Sequence, residues 1–193
     1  MTGGRRDHVL LTERLRLAMP QPGDESALCR YLLENRAHLE SMGPERPEEF
    51  YTERHWAQRL PKMAEQHESG AAARFFVFRQ EAPDEIVGQA NLFHIARESF
   101  QCATLGYAVA KAHQGKGFAT EACGALVRFA FDALNLHRVQ AGHLPENLKS
   151  AAVLRKLGFV PEGYARDYLY FHGRWRDHVL VARTNPDWKD PGI

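Results

Sequence analysis

The spacing of apolar residues divides the first part of the chain into one strand-like and two helix-like stretches. Residues 10–19 alternate apolar and polar side chains, which predicts a strand. Helical spacing follows from Glu25 and again over residues 48–68, and Asp24 stands where a residue would cap the first helix. Pro61 predicts a break or kink in the second helix. We therefore expect a strand followed by a helical pair.

The middle of the chain changes to the pattern of a β-sheet. Residues 74–79, 86–95 and 103–110 are rich in aromatic and β-branched side chains, which predicts three strands. A turn is expected at residues 81–85, which contain Pro83. The short connections favour an antiparallel meander.

Helical spacing returns from Phe118 and continues for about four turns. Residues 137–143 then predict a strand, and a further helix follows with Asn147 near its start and Gly158 just past its end. Residues 159–184 predict two strands around a His-Gly turn. This order of strands and helices indicates a mixed α/β fold.

Composition and charge restrict the class of protein. The 193 residues are 44% hydrophobic and 25% charged, which is typical of a globular chain. We expect one domain over residues 1–193, with its folded core at about residues 9–185. The net charge of +1 gives no general attraction to nucleic acid, so no direct DNA contact is expected.

The same composition predicts a cytoplasmic protein without membrane contact. No apolar run reaches the roughly 18 residues that a membrane span requires, and the polar first residues lack a signal-peptide core. The three cysteines have no CxxC spacing, which suits a reducing compartment. The histidines show no metal-binding spacing, so no metal is expected.

The connection after the third meander strand carries the most specific chemistry. Gly115 and Gly117 allow successive backbone N–H groups to converge. The helix that begins at Phe118 adds unpaired N–H groups and the positive end of its dipole, which together can bind a phosphate group. The residue order is neither a Walker loop nor GxGxxG. On the loop alone, an ordinary glycine-rich connection is an equal alternative.

Two linked motifs resemble those of a known enzyme superfamily. Residues 114–119, Gln-Gly-Lys-Gly-Phe-Ala, resemble the (Gln/Arg)-x-x-Gly-x-(Gly/Ala) signature of the GCN5-related N-acetyltransferases, the GNAT superfamily. Asn147, Ser150 and the closing Leu-Gly-Phe of residues 157–159 resemble the next block of that superfamily. Their order and spacing make the resemblance specific.

Three further motifs narrow the resemblance to one branch. Residues 11–15, 162–165 and 173–178 are similar to those of the ribosomal-protein N-terminal alanine acetyltransferases of the RimJ/RimL type, with the RimJ branch most similar. The likeness extends from Arg5 to Trp188, nearly the whole chain.

The resemblance implies an α/β (α+β) GNAT fold. Its central sheet is mixed, mostly antiparallel, split at the fourth and fifth strands and flanked by helices, with the acetyl donor acetyl-CoA in the split. The resemblance implies acetyl-CoA contacts from Ala108, Val109, Gln114, Gly115, Lys116, Gly117, Phe118, Ala119, Thr120, Asn147 and Ser150.

Each part of acetyl-CoA has an implied partner in this arrangement. The pyrophosphate lies on the N–H groups of residues 114–119, and the pantetheine pairs like an extra strand with Ala108 and Val109. Asn147 reaches the pantetheine from the other side of the split. The backbone N–H of Tyr107 polarises the thioester carbonyl. Lys116 has an equal alternative as a solvated side chain.

Ser150 is the candidate proton donor for the leaving thiolate. In much of the superfamily a tyrosine seven residues after the helix-start asparagine has this role, but here that position is Leu154. The RimJ/RimL type places a residue like Ser150 near the sulfur. The alternative is that Ser150 only satisfies backbone groups in the first helical turn.

The general base is left open by the sequence. Many relatives carry a glutamate two residues before the Gly-Tyr of the fourth strand, and Thr104 stands there in this chain. Candidates without a spacing argument are Glu162, Asp167, Tyr168, Asp177 and His137.

The missing carboxylate favours an acceptor that is partly neutral without help, such as a free α-amine. We expect acetylation of a protein N-terminus, an Ala or Ser terminus of a ribosomal protein, by a monomer or homodimer. Candidate acceptor contacts are Asn91, Phe93, Tyr168 and Trp175. Two alternatives remain: acetylation of a small-molecule amine, and an acetyl-CoA-binding module that interacts with ribosomes without turnover.

Overall fold

Eight strands form one sheet in the computed structural model, which describes residues 9–192. The spatial order is β1-β2-β3-β4-β5-β6-β8-β7. The strands are β1 (Val9–Leu11), β2 (Leu15–Ala18), β3 (Ala73–Arg79), β4 (Ala82–Ala96), β5 (Cys102–Val109), β6 (Arg138–His143), β7 (Val160–Phe171) and β8 (Arg174–Thr184). The α-helices are α1 (Glu25–Glu34), α2 (Arg36–Ser41), α3 (Glu53–Glu68), α4 (Phe118–Arg128) and α5 (Leu148–Lys156).

The strand predicted at residues 10–19 is instead a hairpin of β1 and β2. Leu10 pairs with Leu17, and the chain reverses at Thr12. The backbone N–H of Thr12 donates to the carbonyl of Leu15 at 2.9 Å, and the hydroxyl of Thr12 accepts from the backbone N–H of Leu15 at 3.0 Å. These two bonds close a tight turn that an alternating pattern does not reveal.

The first predicted helix boundary is confirmed, because α1 begins at Glu25 with Asp24 as its N-cap, but two details of the predicted helical pair were wrong. The Asp24 carboxylate accepts from the backbone N–H of Gln21 at 2.7 Å and makes no capping bond to α1. Pro61 lies inside the continuous helix α3. The interruption falls earlier, at Thr52, whose extended backbone separates a 3₁₀ turn (Glu48–Tyr51) from α3 and whose hydroxyl caps α3.

The predicted meander and the split in the sheet are confirmed, and the fourth and fifth predicted strands are β5 and β6 because the first predicted strand is a hairpin of two. Strands β3, β4 and β5 are antiparallel neighbours, although β4 begins at Ala82, inside the predicted turn. Among the described strands, β5 and β6 form the one parallel pairing, and it extends only from Cys102 opposite Arg138 to Thr104 opposite Gln140. Beyond these residues the two strands separate and leave an open cleft, which we call the split.

Helices cover both faces of the sheet. One apolar cluster lies between the sheet and α4, with Phe75, Leu92 and Leu126 fully buried. A second cluster packs α1 and α3 against the opposite face through residues such as Leu28 and Trp56. Within residues 9–192, no helix is long and apolar enough to cross a membrane.

Candidate active site

The main chain of β5 presents two residues to the split. The N–H of Ala110 donates to the carbonyl of Val87 on β4 at 2.9 Å. Because main-chain groups alternate sides along a strand, Ala108 also faces β4, whereas Tyr107 and Val109 face the split. Tyr107 and Val109, rather than Ala108, therefore offer main-chain groups to a molecule lying there.

The glycine-rich loop ends in an open helix N-terminus. Gly115 and Gly117 have φ angles of 77° and 83°, and Gly117 is the N-cap of α4. In the described part of the chain, the N–H groups of Gly117, Phe118 and Ala119 donate to no protein acceptor. Converging, unpaired N–H groups at a helix N-terminus fit a phosphate, so these residues can hold the pyrophosphate of acetyl-CoA.

The Gln114 side chain connects the two walls of the split. Its Oε1 accepts from Nζ of Lys149 on α5 at 2.9 Å. Its Nε2 lies 2.9 Å from Nε2 of His38 on α2, and that imidazole nitrogen is 3.2 Å from the carbonyl oxygen of Val109. A chain of polar contacts therefore spans the mouth of the split.

Ser150 lies at the inner end of the same cleft. Its backbone N–H donates to Oδ1 of Asn147 at 3.0 Å, which makes Asn147 the N-cap of α5. Its hydroxyl is 2.8 Å from the hydroxyl of Tyr107. Burial raises the pKa of the Tyr107 phenol, so it stays protonated and can donate to the oxygens of Ser150. The Ser150 proton is then free to point into the split.

Three of the candidate bases, Glu162, His137 and Asp177, contact other protein groups. Glu162 forms an ion pair with Arg138 at the start of β6, and the His137 ring packs on Trp188 beside it. Asp177 accepts from the Tyr164 hydroxyl at 2.8 Å and, on its other oxygen, from the N–H of Asp167. Leu154 is buried in the core and supplies no proton donor.

Asn91 and Phe93 lie on one face of the sheet beside the split. They stand opposite Gly106 and Thr104 of β5, and the Phe93 ring would be 2.7 Å from a Cβ at position 106. The Thr104 hydroxyl accepts from the Gln140 amide at 3.2 Å and so joins β5 to β6. We call this surface the acceptor face.

His178 extends the acceptor face onto β8. Its ring lies beside Gly142 of β6 and 5.4 Å from the Tyr168 ring, measured between centroids. Its Nδ1 is 3.1 Å from the carbonyl oxygen of Arg176. Trp175 pairs with Tyr170 on the other face of the hairpin, because side chains alternate along β8. The structure therefore groups Tyr168 with Asn91 and Phe93 but separates Trp175 from them.

The turn between β7 and β8 closes one side of the acceptor face. Nε2 of His172 is 2.6 Å from the carbonyl oxygen of Glu40 on α2, and its Nδ1 is 3.1 Å from Oε1 of Glu45. The hairpin and the α2 segment therefore form two walls that touch.

Sequence reasoning missed His38, Lys149 and His178. They come from α2, α5 and β8, and no local spacing links them to the glycine-rich loop. Sequence reasoning also missed the hydroxyl of Tyr107, because the resemblance implies a role only for the backbone N–H of this residue. The sequence did contain one indication for His178, because it is the last residue of the motif at residues 173–178, but no role was assigned to that motif.

The chain is similar to known acetyltransferases over most of its length. The profile of the acetyltransferase (GNAT) domain family matches residues 14–160. The [ribosomal protein uS5]-alanine N-acetyltransferase of Escherichia coli (strain K12) is 40% identical over 181 residues, covering 93% of this chain and 92% of that protein.

Solved structures agree with this assignment. The ribosomal-protein-S5-alanine acetyltransferase of Vibrio fischeri matches with a TM-score of 0.91 at 36% identity, over 95% of this chain and 100% of that chain. RimJ of Mycobacterium smegmatis, in complex with CoA-disulfide, matches with a TM-score of 0.86 at 28% identity, over 96% and 91%. The split sheet, the phosphate-binding loop and these relatives agree, and the chain belongs to the GNAT family of acetyltransferases, for which acetyl-CoA is the acetyl donor.

Proposed function

We propose that this enzyme acetylates the free α-amine of a protein, with the Ala or Ser terminus of a ribosomal protein as the acceptor. The relatives named above support this acceptor, since two of them are named for alanine acetylation of a ribosomal protein. The observation that carries the proposal is local. Among the described residues, no carboxylate lies within hydrogen-bond distance of the Tyr107 or Ser150 side chains.

The chemistry of the amine explains why this matters. An α-amine has a pKa of about 7.7 to 8.0, so roughly a tenth of it is neutral at pH 7. A lysine amine, with a pKa of about 10.4, is neutral to only about 0.04%. A site without a carboxylate base therefore favours the α-amine, because little proton removal is needed before attack.

Residues of the cleft bind the donor, stabilise the oxyanion and protonate the leaving group. The N–H groups of Gly117, Phe118 and Ala119 bind the pyrophosphate, and main-chain groups of Tyr107 and Val109 align the donor in the split. The N–H of Tyr107 stabilises the oxyanion that develops as the amine attacks the thioester. The Ser150 hydroxyl donates the proton that the leaving thiolate needs.

His178 is the proposed proton acceptor on the other side. Its imidazole lies on the acceptor face, and imidazole is a common general base. If its Nδ1–H donates to the carbonyl of Arg176, Nε2 is left to take the proton of the attacking amine through a water molecule.

The test is thiol release from acetyl-CoA with a panel of acceptors. Short peptides begin with Ala, Ser or Met, and a matched peptide has a blocked N-terminus and an internal lysine. Selective turnover of the Ala and Ser peptides is expected. Equal turnover of the blocked peptide would contradict the proposal, and turnover of polyamines or amino sugars alone would assign a small-amine acceptor.

A folded acceptor belongs in the same panel. The purified ribosomal protein with an Ala terminus is compared with the same protein carrying an acetylated terminus. If CoA binds by calorimetry and neither peptide nor protein is acetylated, the enzyme proposal fails and a binding module takes its place.

A further inference from the structure

The turn between β1 and β2 reaches across the molecule to the phosphate-binding loop. Among residues 9–192, the polar contacts to both carboxylate oxygens of Glu121, in the first turn of α4, come from this turn. Oε1 accepts from the Thr12 hydroxyl at 2.6 Å and from the Arg14 backbone N–H at 2.8 Å. Oε2 accepts from Nε of Arg14 at 2.7 Å, and Nη2 lies 2.6 Å away. Residues more than 100 positions apart are thereby joined.

Arg14 also touches the loop itself. Its Nη1 donates to the carbonyl of Lys116 at 3.0 Å, and its guanidinium lies over the Phe118 ring at 4.9 Å. A Cβ at position 117 would be 3.3 Å from Nη2. Arg14 therefore contacts Lys116 and Phe118, the residues on either side of the α4 N-cap, next to the unpaired N–H groups.

These contacts also offset the electrostatic repulsion between the Glu121 carboxylate and a bound pyrophosphate. A carboxylate one turn into α4 lies close to the site for a doubly charged pyrophosphate, and like charges repel. Burial alone would raise the pKa of Glu121, but the hydrogen bonds from Thr12 and Arg14 outweigh it and hold that pKa below its ordinary value. The carboxylate is thus ionised, and its charge is balanced by Arg14.

We propose that Thr12, Arg14 and Glu121 form a clamp that positions the phosphate-binding loop, so that it sets the affinity for acetyl-CoA and leaves the chemical step unchanged. These are positioning residues: Thr12 reaches the loop only through Glu121, and the tie from Arg14 to the Lys116 carbonyl fixes the peptide groups whose N–H atoms bind the pyrophosphate. The inference rests on acetyl-CoA as donor and is independent of the acceptor.

The first test uses Arg14→Ala with Arg16→Ala as a matched control. Arg16 is half-buried, donates to a backbone carbonyl (Pro83, 3.2 Å) and covers an aromatic ring (Phe78, 4.3 Å), but it does not touch the loop. Arg14→Ala should raise the calorimetric Kd for CoA and the KM for acetyl-CoA about tenfold, with kcat within about twofold of the parent. Arg14→Lys should recover only part of the affinity, since it lacks the guanidinium fork.

A truncated donor separates the clamp from general damage. S-acetyl-pantetheine lacks the diphosphate, so Arg14→Ala and the parent enzyme should use it with equal kcat/KM. An equal loss with both donors would show a merely structural effect and overturn the proposal. An unchanged KM for acetyl-CoA in Arg14→Ala would overturn it as well.

Glu121→Gln distinguishes positioning from direct contact between Arg14 and the phosphate. If Arg14 simply attracts the phosphate, removing the Glu121 charge should tighten CoA binding. If the clamp positions the loop, Glu121→Gln and Thr12→Val should both weaken CoA binding severalfold. Tighter binding by Glu121→Gln contradicts the clamp. Because CoA binding is measured without an acceptor, failure here is distinct from failure of the proposed α-amine specificity.

Discussion

At the scale of single residues, the proposed proton transfer to the sulfur depends on the pairing of Ser150 with Tyr107. The two hydroxyls are 2.8 Å apart, and burial keeps the Tyr107 phenol protonated. Tyr107 can therefore fill an acceptor position on Ser150 and leave the serine proton available. In the proposed mechanism, a residue from β5 thus orients the proton donor on α5, in place of the side chain that Leu154 cannot supply.

Ser150→Ala should lower kcat roughly 100-fold, the order expected for loss of a general acid. The cap of α5 survives, because Asn147 binds the backbone N–H of residue 150. The measurement is steady-state kinetics together with the thermal midpoint. Ser26→Ala, a first-turn serine of α1, is the control and should leave kcat unchanged. Parent activity in Ser150→Ala would remove serine as the donor.

At the scale of elements, the predictions succeeded where a local pattern determines the structure. The meander, α4 and the β7–β8 hairpin follow from alternation or helical spacing within one stretch. The β1–β2 hairpin was missed because its turn is closed by Thr12, inside an apolar-polar alternation.

The candidate site divides in the same way. Gly115 and Gly117 predict the loop, because left-handed backbone angles are typical of glycine. The contacts of Gln114 with His38 and Lys149 depend on three elements meeting in space, which no local pattern encodes.

Gly117→Ala should weaken CoA binding about tenfold and destabilise the fold by about 1 kcal/mol, because an L-residue is strained at φ 83° and would crowd Arg14. Gly70→Ala is the matched control. Gly70 has a φ of 72°, and no atom of the described residues lies within 4 Å of a Cβ there, so Gly70→Ala should lose similar stability but keep its CoA affinity. The measurements are calorimetry and urea unfolding. Equal CoA affinity in both variants would argue against a role for the loop conformation.

At the scale of the whole molecule, buried tyrosines link stability to alkaline pH. Burial raises the pKa of both Tyr31 and Tyr107 above the ordinary value of about 10. Above that pH the unfolded chain loses phenol protons that the folded protein keeps. The folded state then binds more protons, so the free energy of unfolding must fall as pH rises.

Urea unfolding across about pH 9 to 11 should show this loss, with a slope approaching about 1.4 kcal/mol per pH unit for each buried tyrosine. Tyr31→Phe should make the slope shallower, while Tyr170→Phe, which changes an exposed ring, should not. Tyr31→Phe should also be at least as stable as the parent at neutral pH, since the buried hydroxyl has no hydrogen-bond partner within residues 9–192. An unchanged slope in Tyr31→Phe would contradict the assignment.

The short parallel pairing between β5 and β6 leaves the two halves of the sheet weakly connected at the split. In the described part of the chain, strand pairing between its two halves is limited to the three residue pairs from Cys102 to Thr104, with the Gln101, Thr104–Gln140 and Tyr107–Ser150 contacts beside them. A donor molecule that bonds to Tyr107 and Val109 on one side and to α5 on the other adds hydrogen bonds across the split, where β5 and β6 are not paired. The bound donor then also holds the two halves of the sheet together, and their connection is weakest in the enzyme without its donor.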